Sequence, residues 1–217
     1  MDSNQFPQNE TNQPCFVSER PEVVTLLQTE LGLPESSIED LERVIKAASD
    51  KEGRVGPLAP PGSGMREAHS AGTEHLNRML TGLGWCFWEK KHLRFCVDPN
   101  KRAIILYQNV HEACNKTKPP INISPRGAET EDLVFTPKNS SYSLFQPTVW
   151  FLCTSFKDGA LKAELSKPNP FKGSFNGFSL RLCIYDQGEP TLTTIGTPVD
   201  NSFDEELGDF ELPLLQG

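Results

Sequence analysis

The stretch that most constrains the fold of this chain is "VWFLCTSFKDGALKAELSKP", residues 149–168. Val149 to Phe156 is an almost unbroken apolar run, which fits a strand covered on both faces. Asp158-Gly159 is a strong short-range hairpin signal, and the chain then alternates. In the returning strand Leu161, Ala163 and Leu165 face the core, while Lys162 and Glu164 point the other way, towards solvent. A third strand, "GFSLRLCIY", sets Phe178, Leu180, Leu182 and Ile184 on one side and Arg181 and Tyr185 on the other. The pattern predicts a three-stranded antiparallel meander.

Upstream, "HLRFCV" alternates Leu93, Phe95 and Val97 with His92, Arg94 and Cys96. "DPNK" is a turn sequence and "RAIILYQ" a following apolar strand, so residues 92–108 read as an antiparallel hairpin. Three helical segments precede it. Val23, Leu26, Leu27 and Leu31 form a stripe that stops near Gly32 and Pro34. Ser37 as N-cap, with Asp40 three residues on in a capping-box variant, opens a second helix whose apolar face is Ile38, Leu41, Val44 and Ile45. Leu76, Met79, Leu80 and Leu83 recur at helical spacing in a third. The expected class is α+β, with N-terminal helices followed by a mostly antiparallel sheet made of a hairpin plus a three-stranded meander. The expected organisation is a disordered arm at 1–20, a small helical module at 21–52, a Pro/Gly linker at 53–64, an α+β domain at 65–187 and an acidic–apolar tail at 188–217.

A net charge of −8 argues against bulk electrostatic binding of nucleic acid, although a local basic patch could still serve it. Arg54, Arg66, Arg78, Lys90, Lys91, Arg94, Lys101 and Arg102 would supply such a patch, but they are scattered. No apolar run reaches the ~20 residues of a membrane helix, and no secretory leader is evident, so the expectation is a soluble, cytoplasmic protein with no membrane partner. Cys96, Cys153 and Cys183 fall in predicted strands and read as buried free thiols.

Catalytic signals are weak. Asp158, Glu164 and Lys167 are the nearest approach to the acidic residue and Glu-X-Lys that nucleases of the restriction-enzyme type use to hold a metal. Here the spacing is Glu-Leu-Ser-Lys, which throws Glu164 and Lys167 to opposite faces of a strand. His111, Glu112 and Cys114 offer one imidazole and one thiol, too few for a tetrahedral zinc site. His69 and His75 are six apart and read as solvated. There is no Gly-X-Ser-X-Gly elbow. No catalytic, cofactor or metal residue is assigned, and no cofactor is expected. A metal-dependent nuclease or hydrolase with a site invisible in sequence, and a nucleic-acid accessory protein, stand as alternatives.

Two segments suit a protein that binds partners. Ser143-Leu144-Phe145 resembles the end of the Gln-Leu-Ser/Asp-Leu-Phe pentapeptide by which bacterial proteins dock on the replication sliding clamp. Leu144 and Phe145 would then be apolar anchors; the plainer alternative is that they cover the edge of their own core. The tail, "DNSFDEELGDFELPLL", carries six carboxylates and no lysine or arginine, leaving the rest of the chain at −2. Among the carboxylates and just after the last of them stand Phe203, Leu207, Phe210 and Leu212, a composition that suits docking into an apolar groove with a basic rim. The order "RAIILYQ", "SPRGAETEDLVF", "SLFQPTVWFLCTSF", "LKAELSKP", over residues 73–186, also resembles uncharacterised bacterial proteins associated with mobile genetic elements. That resemblance implies a cytoplasmic bacterial accessory protein in mobile-element or phage-defence biology, and it carries over no functional residue. The resulting expectation is a non-enzymatic partner-binding accessory protein.

Overall fold

The computed structural model describes residues 15–90, 93–100, 102–125, 127–135, 147–157 and 159–188. In chain order the elements are β1 (Cys15–Val17), α1 (Arg20–Leu31), α2 (Ser37–Gly53), α3 (Ser63–Gly82), β2 (Cys86–Lys90), β3 (Leu93–Val97), β4 (Ala103–Asn109), α4 (Ala128–Phe135), β5 (Thr148–Lys157), β6 (Ala160–Pro168) and β7 (Phe178–Asp186). All seven strands join one sheet in the order β1-β7-β6-β5-β4-β3-β2.

This corrects the expectation of a mostly antiparallel sheet. The architecture is α+β with a mixed sheet, in which β4 and β5 run parallel, as do β1 and β7. Nor is there a free-standing three-stranded meander, because β5, β6 and β7 are the middle and one flank of the larger sheet. The reason is topological. Hairpins announce themselves through short turns, whereas a parallel pair needs a long crossover whose ends give no local signal of their meeting. Here residues 110–147, with α4 among them, carry the chain back so that Ala103 to Asn109 align with Thr148 to Thr154. β1 arises from residues read as an arm, and β2 from "CFWEK", which lengthens the upstream hairpin into a third antiparallel strand.

Both faces of the sheet are covered. Leu27, Leu31, Ile38, Leu41, Ile45, Leu76 and Leu80 of α1–α3 pack against Ile105, Tyr107, Trp150, Leu152, Leu165 and Leu182 on one face. On the other, Ile104, Leu106, Val149, Phe151 and Cys153 meet Phe171, with Leu133, Val134 and Phe175 packed alongside. Phe151, Phe171, Phe175 and Phe178 make edge-to-face contacts with centroids 5.1–6.2 Å apart. The central strands β4 and β5 are accordingly buried almost end to end, as their apolar runs require.

Ordinary capping chemistry appears at the C-terminus of α1, whereas the N-cap residues of α1, α2 and α3 make no side-chain cap hydrogen bond. Gly32 stops α1 in the left-handed conformation (φ +65°), with its N–H donated to Gln28 O and the Leu33 N–H to Leu27 O. α2 begins at Ser37, so Ser36 takes the cap position, and the Ser37 side chain is buried. Gly72 fixes how closely α3 can lie on the sheet, since a Cβ there would sit 2.3 Å from the Tyr107 ring.

Candidate functional site

α3 is held to the end of β4 by a polar network. The Thr154 hydroxyl lies 2.5 Å from Tyr107 Oη and 3.4 Å from Asn109 Oδ1. The Asn109 amide donates to Met65 O at 2.7 Å, tying strand to helix. Burial drives the Tyr107 phenol well above its ordinary range, a shift the Thr154 hydrogen bond only partly offsets. His69 stands edge-on to the same ring, centroids 5.8 Å apart.

Along this junction lie three open clefts with shared walls. The first, of about 580 Å³, lies between α3 and β2–β4 and is lined by Arg66, His69, Glu74, Phe87, Arg94 and Tyr107. Arg66 and His69 also line the second, about 500 Å³, with Met65, Asn109 and Ile123. Met65 and Ile123 in turn border the third, about 430 Å³, beside Lys118, Ile121 and Lys157. Together they form a groove running from the β2 edge to the loop after β4.

Two properties set this groove apart. Phe87, Ile121 and Ile123 line it although they are among the large apolar side chains left exposed, at 50%, 60% and 36%. Trp88, the next residue along, is 56% exposed on the outermost strand. Its Lys and Arg residues (Arg66, Arg94, Lys118, Lys157) also outnumber its carboxylates (Glu74, Glu112) in a chain whose net charge is −8. Arg66 is held by the Ser63 hydroxyl at 2.8 Å. Glu112 pairs with Lys157 at 3.3 Å, and that lysine's hydrogen bond holds the carboxyl below its ordinary range.

A second polar cluster is enclosed in the other layer. Glu164, expected to face solvent, is fully buried. Arg181, also buried, grips it with two parallel hydrogen bonds, Nε to Oε1 at 2.8 Å and Nη2 to Oε2 at 2.7 Å. The Ser166 hydroxyl donates to Oε1 at 2.5 Å and the Cys114 N–H to Oε2 at 2.6 Å. The alternation of β6 was read correctly, but the face opposite the helices is covered too, so charges placed there needed partners inside the protein.

The remaining candidates separate. Leu144, Phe145, Phe203, Leu207, Phe210 and Leu212 lie outside the described residues. So does Asp158, while Lys167 sits 3.7 Å from Glu30 and over the Trp150 ring, so no acidic pair assembles with it around Glu164. Glu112 turns out to Lys157 and Cys114 turns inward. Among the described residues no three metal-ligating side chains converge. Of the scattered basic residues, Lys91 and Lys101 lie outside the described residues; among those described, Arg78, Arg94 and Arg102 are paired with Glu74, Glu89 and Asp98, and Arg66 and Arg94 line the groove. No helix among the described residues is long and apolar enough to cross a membrane.

Sequence reasoning missed Phe87 and Trp88, although two aromatics in a short run after a glycine are a fair strand signal. It also missed Arg181 as the partner of Glu164, for which oppositely charged residues within adjacent apolar strands were the available hint. Comparison with protein-family models, curated proteins and solved structures gives no match.

Proposed function

We propose that this protein is a non-enzymatic, partner-binding module whose groove along α3 receives an acidic–apolar segment of a partner protein. The observation that carries this reading is the exposure of Phe87, Ile121 and Ile123 along a groove with an excess of cationic side chains. Exposed apolar surface beside a polar rim marks interaction sites, and aromatic side chains make the usual anchors. The cations select for carboxylates in a ligand and disfavour basic segments. The outer edge of β2 lies beside the same groove, so an extended segment could add to the sheet while its side chains enter the first cleft.

The probe is a synthetic peptide with the sequence of residues 200–215, which has the required composition, titrated by fluorescence anisotropy against the full chain. Saturable, salt-sensitive binding is expected, weakened about tenfold (~1.4 kcal/mol) by Lys118→Glu or Arg66→Glu and similarly by Phe87→Ala. Absence of saturable binding, or binding indifferent to all three substitutions, defeats the proposal. Binding seen only when the chain's own tail carboxylates are replaced by amides would make that tail the occupant, which also overturns the partner reading.

A further inference from the structure

We propose that Cys114 and Cys183 form a dithiol redox site that a hydroperoxide converts into an intramolecular disulfide. The site lies in the enclosed polar layer, apart from the groove, and the inference stands whether or not the groove binds a peptide. Cys114 belongs to the loop that follows β4. Its N–H is fixed on Glu164 Oε2 at 2.6 Å, and the preceding N–H, of Ala113, on the Ser155 hydroxyl at 3.1 Å. Cys183 projects from β7 at the position paired with Glu164. The Cys114 thiol donates to Ala163 O at 3.1 Å and lies 3.5 Å from Tyr185 O, the ladder pair next to Glu164 and Cys183, so both cysteines converge on Glu164.

Several features distinguish this pair from cysteines that merely fill space. Among the described residues Cys114 is the only non-glycine with positive φ (+55°), a conformation that costs energy and needs its surroundings to hold it. What holds it is the carboxylate–guanidinium pair, a rigid support for a reactive group. Cys96 and Cys153, by contrast, are completely buried in strands, and burial pushes the Cys96 thiol up to about 11. Cys183 is half-buried and so reachable by a small oxidant. Cys114, by contrast, is buried, and its thiol hydrogen is directed at Ala163 O. Such a division suits one nucleophile and one resolving thiol.

The Cys183 thiolate attacks the terminal peroxide oxygen, the O–O bond breaks, and an alcohol (water, for hydrogen peroxide) leaves with the thiol's proton. Cys183 is now a sulfenic acid. The Cys114 sulfur attacks it, the S–O bond breaks, and the hydroxide departs as water with the Cys114 proton. Two thiols have been oxidised and one hydroperoxide reduced. The product ties the loop after β4 to β7 covalently.

The test treats the reduced full chain with stoichiometric hydrogen peroxide near neutral pH, followed by thiol blocking and peptide mapping without reductant. The expected result is loss of two hydrogens and a Cys114–Cys183 linked peptide as the main product, with Cys96 and Cys153 recovered as blocked thiols. Cys183→Ser should slow peroxide consumption at least roughly tenfold, and Cys114→Ser should leave a Cys183 sulfenic acid that dimedone labels. Circular dichroism of both variants establishes that they fold. Oxidation confined to Cys15 or Cys86, a linked peptide formed only in denaturant, or dimedone labelling of Cys183 that is equal with and without Cys114 would each overturn the proposal.

Discussion

Replacing Arg181 by methionine is the sharpest test of how the second layer is held together. The substitution keeps an unbranched apolar stem but removes both hydrogen bonds to Glu164, at 2.8 and 2.7 Å, and the guanidinium resting 5.0 Å from the Phe16 ring. The Glu164 carboxylate keeps the Ser166 hydroxyl and the Cys114 N–H but has lost the charge that balanced it, at a position with no solvent access. Breaking one side of a buried pair costs about 3–5 kcal/mol, because the remaining charge cannot be rehydrated. For a chain of this size that lowers Tm by roughly 6–20 °C.

The pH dependence separates a stranded charge from a packing defect. A carboxylate without its counter-ion is driven to take up a proton in the folded state, whereas in the unfolded chain it titrates near the usual ~4.3. The folded variant then binds protons more tightly than the unfolded one, so its stability falls as pH rises above ~4.3, by up to ~1.4 kcal/mol per pH unit. Urea denaturation of wild type and variant at pH 5 and pH 8 should show a gap that is larger at pH 8. Adding Glu164→Gln to Arg181→Met removes the charge while leaving an acceptor for the Cys114 N–H, and should recover most of the loss and abolish the pH dependence. A gap below about 1 kcal/mol, or one equal at both pH values, would refute the reasoning.

Two further outcomes follow from the packing of α3. Gly72→Ala places a methyl 2.3 Å from the Tyr107 ring and should destabilise the fold by about 2–3 kcal/mol in urea titrations, while Ala71→Ser, a small change one residue away, serves as the control. Because burial raises the Tyr107 phenol, a spectrophotometric titration should show that tyrosine ionising only as the protein unfolds. Stability should then fall as pH rises past ~10, where an unfolded tyrosine ionises, and Tyr107→Phe should lessen that decline; free titration of all three tyrosines near pH 10 in folded protein would contradict it.

What was legible in the sequence depends on near neighbours. The apolar run from Val149 to Phe156, the turn at Gly159 and the alternation of Leu161, Ala163 and Leu165 describe β5 and β6 as they stand, and Gly32 ends its helix where expected. The parallel pairing of β4 with β5 was hidden by a long crossover, and the meeting of Cys114, Glu164 and Cys183 by the sequence separation between the loop and the sheet. The groove was illegible for a different reason. Its lining comes from α3, β2–β4 and the loop after β4, and in sequence no one of these segments distinguishes its groove residues from ordinary surface ones.

The misplacement of Glu164 shows where a two-fold pattern stops being informative. Alternation separates the two faces of a strand, but it does not say whether the second face meets water. The continuous burial of β5 does say so, because a strand apolar on both sides needs cover on both sides, and its neighbour β6 must lie under the same cover. A charge on that face of β6 must then be matched across to β7, and Arg181 supplies the match within a register that shifts between Ala163 and Glu164. Sliding β7 by one residue would turn Arg181 to the helix-covered face and leave both charges buried and unmatched. The pair therefore specifies the β6–β7 register even if its net contribution to stability is small, and it is this fixed register that sets Cys183 opposite Glu164, whose carboxylate holds the Cys114 N–H.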